Sequence, residues 1–201
     1  MTHTHDVATL TDTMRALEPI RAGEEITISY LIGALKTRDE RQAELLRRYG
    51  FTCRCKVCRL TGFQHTVHDI ARQAIEEGAH PANVRTDEAA FEKWLAQGAP
   101  RPPPVANPHS DTTHPFYCTV RAWEMMAVTG CYEMSTYESL LERLVKSFAI
   151  MRDEEGVRNC ANRAAELRTA FTGEDGGWRA IAENPRKVEW WGKKPRVSTR
   201  A

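Results

Sequence analysis

Two stretches decide the reading: Arg21-Ala22-Gly23-Glu24-Glu25-Ile26-Thr27-Ile28-Ser29-Tyr30, and Tyr49-Gly50-Phe51-Thr52-Cys53-Arg54-Cys55-Lys56-Val57-Cys58. In the first, a glycine turn opens an alternating run. Ile26, Ile28 and Tyr30 fall on one face of a strand at period two, with the Tyr30 hydroxyl at the strand's exit. The second places three thiols in a C-x-C-x2-C pattern, too closely spaced for core cysteines. That spacing reads as metal ligation, with an unrelated redox site the much weaker alternative. Between the two, Thr37-x-x-Glu40 forms a capping box and Gly50 suits a left-handed C-terminal cap. Ala43, Leu45, Leu46 and Tyr49 supply an apolar stripe at helical period. The expectation is a helix from about Arg38 to Arg48 that delivers Tyr49 and Phe51 into the cysteine loop.

Taken together, Gly23-Glu24-Glu25-Ile26-Thr27-Ile28-Ser29-Tyr30, a helix, and Tyr-x-Phe-x-Cys-x-Cys-x2-Cys resemble the C-terminal half of a SET domain with its post-SET zinc loop. The resemblance is to the SET-and-MYND (SMYD) group and similar fungal SET-domain proteins, which are S-adenosylmethionine-dependent protein-lysine methyltransferases. Residues 14 to 60 carry its strong part. Gly173-Glu174-Asp175 and Ile181-Ala182-Glu183-Asn184-Pro185 resemble the helical tail of the fungal members more weakly. The resemblance implies Tyr30 as the catalytic tyrosine beside the transferring methyl, and Cys53, Cys55 and Cys58 as ligands of a structural zinc. It implies Tyr49 and Phe51 as contacts to the methyl donor, with Phe51 against the adenine. Phe51 has a second reading, as a cover over the zinc thiolates. The implied partner is a protein substrate presenting a target lysine.

The family's fourth zinc cysteine comes from an upstream Asn-His-Ser-Cys segment, which also contacts the donor. Neither that motif nor a G-x-G loop occurs in this chain. Arg158-Asn159-Cys160-Ala161-Asn162 lies in a helical stripe and reads as structural. The resemblance therefore implies a chain that begins inside the SET domain, inactive as an isolated piece: a clipped gene model, a fragment or a degenerate paralogue. His65, seven residues past the cluster, is the nearest replacement ligand in sequence; His3, Cys118, Cys131, Cys160 and an intermolecular thiol are others. A non-catalytic zinc-binding helical interaction module is the alternative to the enzyme lineage.

Composition narrows the classes further. With 201 residues and 41% hydrophobic content, the chain can bury one ordinary core. Its 28 Lys and Arg against 27 Asp and Glu leave a net charge of +1, without the basic stripe of a nucleic-acid groove. No apolar run approaches the length of a membrane span, and the first residues lack the pattern of a signal peptide. Three of the six cysteines are clustered as ligands are, so the thiols read as reduced and the chain as intracellular, in nucleus or cytoplasm.

Residues 1 to 11 are polar and read as a mobile tail, with His3 and His5 at H-x-H spacing. Thr13 to Leu17 is expected to pair as a strand, and Glu18-Pro19 to Gly23 to connect it to the Tyr30 strand. Further on, Val67–Glu77, Glu88–Ala96 and Phe116–Val128 read as helices, and Gly98 to Pro108, with five prolines, as a stiff spacer. Ser135-x-x-Glu138 caps a helix with Tyr137, Leu141, Leu144, Val145, Phe148 and Met151 on one face. Val157, Cys160, Ala161, Ala164, Leu167 and Phe171 line the next, ended by Gly173. These two form an antiparallel pair of tetratricopeptide style, and Trp178, Trp190 and Trp191 pin the tail onto it. The basic residues Arg186, Lys187, Lys193, Lys194, Arg196 and Arg200 read as a solvated end. The expected fold class is α+β: residues 1-63 hold a SET remnant and cysteine loop, and 64-201 a mainly α-helical region.

Overall fold

Alternating threonines and histidines open the chain, and in a computed structural model they form a strand. Residues 2–17, 19–31, 35–78, 81–100, 114–132 and 134–193 are described. Strands β1 (Thr2–Asp6) and β2 (Thr11–Arg15) pair antiparallel, with His3 opposite Met14 and His5 opposite Asp12. The expected mobile tail is thus the first strand of a hairpin, and the second strand starts two residues earlier than expected. Polarity misled here: threonine is a strand former regardless of it, and a two-stranded ribbon needs no buried face to pair.

Helices make up most of the rest. They are α1 (Arg38–Tyr49), α2 (Gly62–Gly78), α3 (Pro81–Ala96), α4 (Pro115–Thr129), α5 (Met134–Ile150), α6 (Glu154–Thr172) and the short α7 (Trp178–Glu183). The chain is mainly helical, with one two-stranded ribbon among the described residues. Both α2 and α3 begin earlier than the sequence suggested, α3 at Pro81, whose fixed φ and missing N–H suit a first helical position. Met134 starts α5, so Ser135 sits inside the helix rather than capping it. Most of the proline-rich segment, residues 101–108, lies outside the described residues, as do Lys194, Arg196 and Arg200.

The core sits between α5 and α6, the most extensively paired elements of the chain. Tyr137, Leu141, Leu144 and Val145 from α5 meet Val157, Ala161, Ala164 and Leu167 from α6, all withdrawn from solvent. Each large apolar side chain so buried contributes about 1.5–3 kcal/mol. The alanines let the axes approach, and Tyr137 stacks on Phe171 with ring centroids 5.5 Å apart. Asp153 caps α6 by accepting the Gly156 N–H at 2.9 Å. Met126 of α4 closes one side, while Trp178 and Ala182 of α7 close another. Trp190 and Trp191 pack on this cluster, with Lys146 Nζ 5.1 Å from the Trp190 ring centroid, so the tail is pinned as expected. A smaller cluster of Phe91, Trp94 and Ala99 lies beside it, and the Arg143 guanidinium covers Phe91 at 4.4 Å.

The N-terminal part attaches where β1 meets α6, through Leu17 on the core, and through α2. Leu35, just before α1, joins the main core together with Ile75 of α2. Arg72 of α2 is buried and donates to the Thr129 carbonyl and the Cys131 sulfur, where α4 ends.

Close approach of α6 to α5 generates a prediction of reversed sign. Replacing a helical glycine by alanine ordinarily stabilises by about 0.5–1 kcal/mol. A Cβ at Gly156, however, would stand 2.5 Å from two ring carbons of Phe148, including Cγ, which a flip of the ring leaves in place. Overpacking of that kind costs about 1–3 kcal/mol. Gly156→Ala should therefore lower the urea midpoint, by about 1 kcal/mol in stability; a midpoint equal to or above that of the native chain would contradict the tight crossing.

Candidate metal centre

Helix α1 is the platform of the site, and its ends are set locally. Thr37 N–H donates to Glu40 Oε2 at 2.8 Å while Thr37 Oγ1 accepts the Glu40 N–H, so the expected capping box is formed. At the other end Gly50 takes φ +71°, a left-handed conformation that costs glycine little, and its N–H reaches Leu46 O at 3.0 Å. The chain reverses there and runs back along the helix. Gln42 then grips Cys53 from both sides: its Nε2 donates to the Cys53 carbonyl and its Oε1 accepts the Cys53 N–H, each at 2.8 Å. One amide side chain does for Cys53 what a neighbouring strand would do.

Past Cys53 the loop folds into tight turns, with Arg59 N–H on Cys55 O and Leu60 N–H on Val57 O. Those turns gather the three sulfurs, which all lie within 4.8 Å of one another. Zinc–sulfur bonds of about 2.3 Å at tetrahedral angles would set sulfurs about 3.8 Å apart. The thiols thus stand within about an ångström of coordinating distance, and no other group of three such donors converges among the described residues. Cys53 and Cys58 are half-buried and Cys55 is exposed. Three soft donors in one turn can hold a metal ion, and the donor set suits zinc.

Crowding sorts the thiols. Burial pushes the Cys58 thiol up to about 11, an Arg41 contact opposes this, and charge on the other two thiols adds to it. Burial also opposes ionisation of Cys55, but the Cys58 amide and the neighbouring thiols outweigh it and hold that thiol below its ordinary value. A bound cation removes the mutual repulsion, because a metal ligates the thiolates and releases their protons.

Three of the other candidate ligands lie elsewhere. His65 Nε2 lies 2.8 Å from Asp69 Oδ2, Cys131 takes a contact from Arg72 in the core, and Cys160 lies on α6 with its thiol pushed up to about 12 by burial. All six cysteines are free thiols.

Around the loop stand the three aromatic residues that sequence reasoning singled out. The Tyr30 ring is 5.2 Å from that of Tyr49 and 5.5 Å from that of Phe51, both edge-on, and Tyr49 and Phe51 are 6.5 Å apart. Tyr49 Oη donates to the Tyr30 carbonyl at 3.3 Å. Yet the expected strand is not formed. Residues 24–31 form no regular secondary structure and pair with no strand among the described residues, and Ile26 and Ile28 are 65% and 45% exposed. Alternation marks a face, but a strand needs a neighbour for its backbone groups. Of the stripe expected on α1, Leu45 is buried but Ala43, Leu46 and Tyr49 are exposed, and Arg41 is buried beside Leu45.

Arg41, Gln42 and Asp69 escaped the sequence reading. Nothing in the linear order marks them, since a charged or amide residue on a helix ordinarily faces water. No protein-family profile, curated protein or solved structure matches the chain. Among the described residues, no helix is long and apolar enough to cross a membrane.

The thiol ordering is open to a direct check. In metal-free protein at pH 8, iodoacetamide should alkylate Cys55 well before Cys58, and Cys58 should become reactive only as pH rises toward 11. Peptide mapping reads the order, and zinc added first should protect all three. Equal labelling of Cys55 and Cys58 at pH 8 would show that the two thiols are not differentiated.

Proposed function

We propose that this chain is the zinc-loop and helical part of a SET-type protein-lysine methyltransferase, in which Tyr30, Tyr49 and Phe51 form one wall of the methyl-donor site. One observation carries the reading. Tyr30 and Phe51, distant in sequence, bring their rings to 5.5 Å, with Phe51 two residues ahead of Cys53 in the chain, and both keep surface open to a ligand. Planar aromatic edges next to a metal-stiffened loop suit an adenine ring, which gains by stacking and edge contacts. S-adenosylmethionine, when bound, supplies a sulfonium methyl for in-line displacement by a neutral lysine amine. The methyl would pass from sulfur to nitrogen, leaving the thioether behind, and the amine proton would go to solvent.

This chain's residues have separate parts in that reaction. Zinc on Cys53, Cys55 and Cys58 fixes the loop, Phe51 faces the adenine, and the Tyr30 hydroxyl orients the incoming amine. A lysine amine has a pKa of about 10.4, so alignment and proton loss both have to be assisted. The partner is a protein with an exposed target lysine.

A second reading has its own support. The Tyr30 segment lacks a strand partner among the described residues, while the α5–α6 core is complete without it. That favours a non-catalytic module in which zinc shapes a docking loop for another protein.

Donor binding separates the two. In zinc-loaded protein carrying labelled Tyr and Phe, millimolar S-adenosylmethionine should shift the ring signals of Tyr30 and Phe51 in NMR spectra, and Phe51→Ala should abolish the response at Tyr30. Unchanged spectra at that concentration would leave the interaction module as the function.

A further inference from the structure

We infer that Arg41 is the positioning residue of the thiolate centre, and that through Asp69 it couples metal loading of the loop to the docking of helix α2. This rests on the zinc reading of Cys53, Cys55 and Cys58 and goes beyond it, to how the centre is held and what its occupation does.

Arg41 is buried at 6% exposure, unusual for a guanidinium, whose burial demands an opposite charge. Its Nη1 donates to the Lys36 carbonyl and lies 4.0 Å from Asp69 Oδ1. Its Nη2 lies 4.0 Å from Cys58 Sγ, the outer limit of an N–H···S contact. Asp69 is in heavy demand: the same Oδ1 accepts the Arg38 N–H at 2.9 Å, and Oδ2 faces His65. One carboxylate on α2 therefore serves the first turn of α1, the Arg41 guanidinium and an imidazole together.

Positive charge is in excess there. Arg72 is buried on the next turn of α2, and His68 is held below its ordinary pKa by burial, with Arg72 and Arg41 adding to the effect. A zinc ion with three thiolates carries a net charge of −1, and it would sit against Arg41 Nη2. The centre is thus a further counter-charge for the buried guanidinium, beside Asp69. Loading strengthens the Arg41 contact to Cys58 and holds the guanidinium where Asp69 can reach it. Coupling of this kind is reciprocal: what steadies α2 on α1 must also tighten metal binding.

The test measures zinc affinity by chelator competition for the native chain, Arg41→Met, Arg41→Lys and Asp69→Asn, with far-UV circular dichroism verifying the helical fold of each. Loss of an outer-shell partner costs about 10–100-fold in metal affinity, and Arg41→Met should fall in that range. Arg41→Lys, which keeps the charge, should recover most of it, a rescue that mere packing would not produce. Asp69→Asn should weaken zinc measurably although it touches no sulfur. Removing zinc from the native chain should speed hydrogen exchange at the Arg38 amide and along the first turns of α2. Zinc bound equally tightly by all four proteins, or exchange indifferent to zinc, would overturn the coupling while leaving the metal reading intact. Absence of zinc binding by the native chain would overturn both.

Discussion

Burial of the α6 stripe against α5 is the constraint from which the rest of the molecule hangs. Val157, Ala161, Ala164 and Leu167 are sealed against Tyr137, Leu141, Leu144 and Val145, and glycine at 156 is what lets the two helices start so close. Everything else is fastened to that pair in turn. The tail wraps it through Trp178, α4 covers it through Met126, and α2 reaches it through α4 and Ile75. The cysteine loop is held by α1, and α1 is tied to α2 by the Arg38 amide on Asp69. A chain of contacts therefore runs from an apolar core to a polar, partly exposed cysteine cluster that could hold a metal ion.

The two ends are stabilised by different physics. Apolar area withdrawn from water holds α5 and α6 and demands little of exact angles. At the loop, individual hydrogen bonds and charges decide: Gln42 on Cys53, Arg41 between Cys58 and Asp69. Such contacts are directional, and they weaken together when one member is lost. The loop end therefore rests on a few directional contacts, while the helical pair rests on buried area.

What could be read from residue order follows the same division. The α1 caps, the α5 and α6 stripes and the gathering of Cys53, Cys55 and Cys58 were legible because each is settled within a few residues. The β1 strand was missed because Thr2–Asp6 looks like solvated tail, and its partner, not its polarity, makes it a strand. Ile26 to Tyr30 was misjudged for the opposite reason: its alternation is real, but pairing depends on groups outside the window. Arg41 was illegible outright. A charge is buried only where a distant carboxylate and a sulfur cluster answer it, and no local pattern announces that meeting.

Gln42 carries a consequence for how a metal would be captured. Because its amide already fixes both backbone groups of Cys53, the first ligand is ordered before any ion arrives. Cys55 and Cys58 follow on a chain too short to wander, so capture entails little further loss of conformational freedom. A loop preset in this way resembles a latch left half-closed: an ion completes it quickly, and departure requires the sulfurs to let go one by one against a backbone that keeps returning them.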